Sequence, residues 1–425
     1  MLWAVAPPRR AFVAFSGKKG ERPARPEERR QQSRPGWISF LRNASATVTV
    51  LLAATLLSGC LSDGPRALDG RVSSGTGFAA EGEPSRVPLF VASTRRGEGA
   101  VDDGRAHYSL TAIGVPQNHQ PGAIEKPSFG SPERARHFTV LSKSNLDETE
   151  FFGQVAAHVS GRVGSSRDIL LYVHGFNTTH DEARFRLAQI VADGGFAGVP
   201  VLFSWNSRGG LFNYETDKEA ATVSRDALQR TLLELAKTPG VGRVHILAHS
   251  MGAWLTMETL RDIAISGHPD LDGRLGQVML ANPDIDINVF RQQVSRIDPG
   301  HVSLFVARND RALNLSSRIA GARPRLGAMD PEKPEDRAEL DRLGVSVHDI
   351  SSFSTDFIGH GAFAEAPNVV RGIGASIAAP RAQDADTQAI PDFRNQDTGD
   401  ATPPPPPPGA RQKVEASPLP PVAER

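Results

Sequence analysis

An α/β fold, with a mostly parallel central sheet and helices on both faces, is what this sequence of 425 residues predicts. Two observations carry that expectation. Short apolar runs the length of buried strands alternate with amphipathic stretches of ten or more residues, which implies parallel βαβ units with right-handed crossovers. One apolar run, over 244–247, enters a tight corner at His249-Ser250-Met251-Gly252 and leaves it as a helix over 253–265. Ligands in such sheets bind at the carboxyl ends of the strands.

In chain order, the folded part begins with a short strand over 87–92, followed by strands over 108–115 and 137–141. Between the last two, 116–132 is rich in Pro, Gly, His and Asn and reads as loop. Helical periodicity covers 148–158. A buried strand over 168–173 opens into His174-Gly175-Phe176-Asn177, and a helix follows over 181–192. Next come a strand over 199–205 and one long helix over 218–236. After the Ser250 corner, strands are expected over 277–281, 301–307 and 346–350, with a helix over 312–319 between the last two.

The flanks differ in character. Residues 1–37 are rich in Arg, Pro, Gln and Gly, too poor in apolar content to fold alone. An apolar run over 46–57 then ends at Leu57-Ser58-Gly59-Cys60. A basic flank, a dozen apolar residues and a small-residue end make a secretory signal, too short for a comfortable membrane span. This ending resembles the lipobox of bacterial lipoproteins, which implies acylation of Cys60, the chain's single cysteine. The expected organisation is an arm and lipoprotein signal over 1–60, a flexible tether over 61–84, one folded domain over 85–378 and a disordered Pro-rich tail over 379–425. The expected place is the cell envelope, lipid-anchored to a membrane and facing the periplasm. The 48 basic and 48 acidic residues balance, so nothing in the charge points to nucleic acid. One cysteine excludes an internal disulfide and a thiolate metal cluster.

The Ser250 corner suits acyl transfer. A serine on a sharp strand-to-helix turn projects its hydroxyl from the sheet, above a helix N-terminus with unpaired N–H groups and a positive dipole end. The alternative for such a serine is an ordinary helix N-cap. The stretch Ala248-His249-Ser250-Met251-Gly252 resembles the Gly-x-Ser-x-Gly nucleophile elbow of the α/β-hydrolase superfamily, with Ala248 in place of the first glycine.

That resemblance implies a chain order of serine, acid and histidine. After Ser250 the acid candidates are Asp310, in Ala307-Arg308-Asn309-Asp310, and Asp284 or Asp286. Asp310 is preferred because it follows the penultimate strand, where the superfamily most often keeps its acid. The histidine should lie on a loop after the last strand. His360, between Gly359 and Gly361, fits, whereas His348 sits within the expected strand. The oxyanion donors would be the N–H groups of Met251, beside the nucleophile, and Phe176, on the earlier loop. His174 reads as a support within that loop, and His249 as a packed residue. Trp205, Arg208 and Tyr214 would line an acyl or leaving-group pocket, and His174 is a further candidate for that lining.

Further segments carry the likeness over residues 87–375: Phe90 to Arg96, Ile113 to Pro116, His174 to Asn177, Phe203 to Trp205 with Tyr214 and Asp217, Arg308 to Asp310 with Arg325 to Gly327, and Gly359-His360. They resemble one branch of the superfamily, bacterial proteins often bearing lipoprotein signals and of mostly unassigned substrate. The expectation is a serine esterase or lipase-like enzyme acting on a small-molecule or lipid ester through Ser250, His360 and Asp310. Neither metal nor organic cofactor is expected. The alternative is an envelope lipoprotein using the same fold for binding or scaffolding.

Overall fold

The computed structural model describes residues 84–96, 103–210, 213–319, 321–353 and 360–378. The signal, Cys60, the tether to residue 83 and the Pro-rich tail lie outside them. Among the described residues one sheet holds nine strands: β1 (Ser85–Ser93), β2 (His107–Val115), β3 (Thr139–Leu146), β4 (Ile169–Val173), β5 (Val199–Ser204), β6 (Val244–His249), β7 (Leu275–Ala281), β8 (Val302–Val306) and β9 (Ser346–Asp349). Their spatial order is β3-β2-β1-β5-β4-β6-β7-β8-β9. From β1 to β9 every neighbouring pair is parallel. Only the β1–β2 and β2–β3 pairs are antiparallel. The sheet is therefore mostly parallel, with an antiparallel margin at its N-terminal edge.

The helices are α1 (Glu148–Val159), α2 (His180–Gly194), α3 (Tyr214–Val223), α4 (Arg225–Ala236), α5 (Met251–Ile265), α6 (Ile287–Val294), α7 (Arg311–Ile319), α8 (Pro334–Leu343), α9 (Ala362–Glu365) and α10 (Pro367–Ala378). They cover both faces, and β4 shows why. Its five residues are all buried. Ile169, Leu171 and Val173 join one core with Phe151 of α1, Leu228 and Leu232 of α4, and Leu255 of α5. Leu170 and Tyr172 join the other, with Leu187 of α2 and Val369 and Ile373 of α10. A strand with apolar side chains at both parities can only be covered on both sides. On the second face α2 and α10 come into backbone contact: a Cβ on Gly374 would lie 2.0 Å from the carbonyl oxygen of Gly194.

Several elements differ from the sequence expectation. The third strand starts at Thr139 and continues to Leu146, through a half that is polar and mostly exposed. It is an edge strand paired only with β2, so its outer residues carry no hydrophobic signal. The single helix expected over 218–236 is two, meeting at Ser224. The Ser224 hydroxyl donates to Ala220 O and is 2.8 Å from Thr94 Oγ1. A serine bonding back to the carbonyl four residues earlier bends a helix without interrupting its apolar period. The helix after the corner begins at Met251, not at 253.

Candidate active site

Ser250 lies between the last residue of β6 and the first residue of α5. Its backbone lies at φ 53° and ψ −121°, a region costly for a side chain with a Cβ. Three hydrogen bonds hold it there. Ser250 N–H donates to Ala281 O (3.0 Å), and Ser250 O accepts from Ala253 N–H (3.0 Å) and Asp284 N–H (3.2 Å). The Ser250 side chain makes no capping bond to α5. Two glycines let neighbouring backbone approach this corner. A Cβ on Gly252 would lie 2.3 Å from His174 O, and one on Gly175 would lie 2.9 Å from the Ser250 Cβ. Ala248, at the position of the motif's first glycine, is fully buried.

Met251 N–H belongs to the first turn of α5, where backbone donors have no intrahelical acceptor. Phe176 follows Gly175 on the β4–α2 loop and packs edge-on against Tyr214, ring centroids 5.6 Å apart. His360 and Asp310 are joined directly: His360 Nδ1–H donates to Asp310 Oδ2 over 2.6 Å. Asp310 is fully buried. Its Oδ2 also accepts from Asn282 Nδ2 (2.7 Å), and its Oδ1 accepts Leu313 N–H (3.0 Å) at the start of α7. With Nδ1 committed to a carboxylate, Nε2 is the nitrogen of His360 left to exchange a proton. His249 braces this histidine. Its Nε2–H donates to His360 O (3.0 Å), and its ring stacks on Phe363.

Ser250, His249, His360, Phe176, Tyr214 and Asp284 border one cavity of about 500 Å³, whose remaining wall is largely α7. Asp284, weighed against Asp310 from sequence, has other partners. Its Oδ2 accepts from Tyr214 OH (2.8 Å), and its Oδ1 accepts from Ser316 Oγ (2.7 Å) and lies 3.1 Å from Arg325 Nε. Asp286 caps α6. His348 lies in β9, its ring stacked on Phe305.

Three of the four expected lining residues, Trp205, Arg208 and His174, do not border this cavity. Trp205 is fully buried, stacked on His174, and donates from Nε1 to His174 O over 2.7 Å. It fixes the backbone of the Phe176 loop from behind. Arg208 lies on an exposed loop, its N–H bonded to Asp217 Oδ1. His174 is likewise sealed inside. Its Nδ1–H donates to Gly175 O, and its Nε2 accepts from Arg95 (3.3 Å) and Ser204 Oγ (3.4 Å). Sequence reasoning gave no role to Arg95, which also bonds Thr178 O, or to the Asn282 amide. Neither has a spacing that marks it. Among the described residues no group of three His, Cys, Asp or Glu side chains is arranged to hold a metal.

A family model, alpha/beta hydrolase of unknown function (DUF900), matches residues 148–379, more than half of the chain. The chain belongs to this family. No curated protein matches it. Among solved structures it is similar to an uncharacterized protein from Bacillus cereus, with a TM-score of 0.30 and 11% identity over 46% of this chain; it spans 58% of that protein's length. It is also similar to carboxyl esterase 2 of the mycorrhizal fungus Tuber melanosporum (TM-score 0.32, 12% identity, 69% of this chain and 87% of that one). A third is the brefeldin A esterase described as a bacterial homologue of human hormone sensitive lipase (TM-score 0.32, 12% identity, 72% and 80%). These likenesses add no argument to the family match.

Burial disfavours the protonated form of three imidazoles, those of His174, His180 and His249. Burial, then the Arg95 guanidinium, holds His174 well below the ordinary histidine range; burial, then His360, does the same for His249. His180, at the start of α2, is pushed down to about 4 by burial, then by Arg184 and Arg95. All three therefore bind protons less readily folded than unfolded. Below about pH 6.5 the unfolded chain takes up the extra protons, so stability falls as pH falls. For His180 the loss runs from about 6.5 down to about 4. His119 works the other way: burial opposes protonation, but Asp193 and Glu125 raise its pKa. Its contribution is complete below about 6.5 and is lost as pH rises through its folded value. Burial also lowers the pKa of His107, and four against one predicts a lower urea midpoint at pH 5 than at pH 7.5, and a smaller drop in His180→Gln. A midpoint that rises on acidification contradicts this balance.

Proposed function

We propose that the chain is a serine hydrolase that cleaves an ester, with amide or thioester as lesser alternatives, through an acyl-serine intermediate. The observation that carries the reading is the 2.6 Å bond from His360 Nδ1–H to Asp310, made at the border of the cavity that Ser250 also lines. His360 Nε2 takes the proton as Ser250 Oγ attacks the carbonyl carbon. Asp310 holds the useful tautomer and stabilises the imidazolium. The N–H groups of Met251 and Phe176 receive the oxyanion, a donation worth about 10²–10³-fold per donor in such sites. His360 returns its proton to the leaving alcohol. A water, deprotonated by the same nitrogen, then releases the acid. The scheme uses no metal or organic cofactor.

The strained backbone of Ser250 supports this reading over a capping role, because its side chain forms no cap. The test is turnover of p-nitrophenyl acetate by the wild type beside Ser250→Ala. We further propose that Cys60 carries a lipid anchor in a bacterial envelope, supported by the Leu57-Ser58-Gly59-Cys60 ending. Labelled palmitate is then incorporated by the wild type and not by Cys60→Ala; equal incorporation contradicts the anchor.

A further inference from the structure

We infer that the substrate carries a linear aliphatic chain of medium length, bound along α7. This rests on the serine-hydrolase reading and narrows it to a substrate class. The wall that α7 gives to the Ser250 cavity includes Ala312, Leu313, Leu315 and Ile319, and Phe176 adds an aromatic ring. Leu313 is buried beneath the helix, whereas Leu315 and Ile319 are 40% and 44% exposed. Ala312, Leu315 and Ile319 follow at steps of three and four, so they form one stripe on one face. Along that stripe, among the described residues, Leu315 and Ile319 border the cavity and stay half-exposed. A pair of half-exposed aliphatic side chains continuous with an enclosed apolar wall is a surface that a hydrocarbon chain completes.

The charges along the same space are already answered. Asp284 is neutralised by Arg325 at 3.1 Å and bonded by Tyr214 and Ser316. Burial, then the charge of Asp284, pushes the Tyr214 phenol up, so it remains the donor in that bond. Arg311 also borders the cavity and is itself partnered. The network leaves no unmatched carboxylate to recruit a cationic substrate and holds α7 in place through Ser316. Asp310 holds the other end of α7 by accepting Leu313 N–H, so the residue that orients His360 also fixes the start of the stripe. From Ala312 to Ile319 the helix rises about 10 Å. An extended chain of about nine carbons has that length, since a zigzag of bonds of about 1.5 Å advances about 1.25 Å per bond. The chain could be on the acyl or the alcohol side of the ester, and the chemistry of recognition is the same for both.

The experiment compares kcat/KM for p-nitrophenyl octanoate against acetate, and for octyl acetate against ethyl acetate. It uses the wild type, the double variant Leu315→Ser with Ile319→Ser, and Ile265→Ser, which alters an exposed aliphatic residue on α5 away from this cavity. The expected result is a long-to-short ratio well above one in one of the two series, which tells the acyl from the alcohol side. That ratio falls about tenfold or more in the double variant, the scale on which apolar pockets discriminate methylenes, and holds in Ile265→Ser. The inference is overturned if both ratios are the same in the double variant as in the wild type. If the wild type turns over none of the four esters, the serine-hydrolase reading itself fails. Turnover of short esters without α7-dependent preference removes only the chain-binding inference.

Discussion

Ser250→Ala lowers kcat for p-nitrophenyl acetate by about 10⁶-fold, the scale on which removing a serine nucleophile from a complete triad acts. The expected cost in stability is below about 1 kcal/mol. Both halves of that statement follow from the local structure. The Ser250 hydroxyl makes no capping bond to α5, and the three bonds that hold the corner belong to its backbone. Alanine keeps the backbone, and its Cβ meets the same strain at φ 53° that serine already bears. The variant therefore folds, with the cavity and the His360–Asp310 pair intact. Residual catalysis would come from oxyanion donors and binding alone. Turnover within tenfold of the wild type would show that another group is the nucleophile.

Asp310→Asn lowers kcat by about 10⁴-fold, through the tautomer of its neighbour. In the wild type Oδ1 accepts from Leu313 N–H, while Oδ2 accepts from both Asn282 Nδ2 and His360 Nδ1–H. An asparagine that keeps the helix cap with its oxygen turns its NH₂ toward two donors. His360 can then bond it only with a bare Nδ1, which places the proton on Nε2. An Nε2–H cannot accept the Ser250 proton. Asp284→Asn separates this from general damage to the cavity. It leaves the Arg325 guanidinium, 5% exposed as a residue, without its counter-charge. Breaking a buried ion pair costs on the order of 3–5 kcal/mol. The first variant is thus expected to be folded and slow. The second is expected to unfold earlier, with its His360 tautomer unaltered. A reversed pattern would move the orienting role from Asp310 to Asp284.

The parts of the site that could be read from the chain are those written locally. A strand, a tight turn and a helix around Ser250 occupy about twenty consecutive residues, and their periodicities change within them. The Asp310 and His360 candidates came from chain order after β8 and β9, and in the structure they make one hydrogen bond across 50 positions. The polar network at Tyr214, Asp284, Ser316 and Arg325 has no such signature, because its members lie on separate elements between 214 and 325. Trp205 was misplaced for a similar reason. An aromatic residue just past a strand has the same sequence context whether its ring faces the rim or, as here, the underside of the His174 loop. The break at Ser224 hid because the apolar period runs through it, and β3 ran longer than expected because an edge strand needs no apolar outer residues.

The proposed chemistry requires Ser250 to be an activated nucleophile. The most direct measurement is peptide mapping by mass spectrometry after reaction of the folded protein with a fluorophosphonate. One phosphonyl group per chain is expected, on Ser250, absent from Ser250→Ala and formed far more slowly in Asp310→Asn. A folded wild type that takes up no label, or takes it up on a residue other than Ser250, would contradict it.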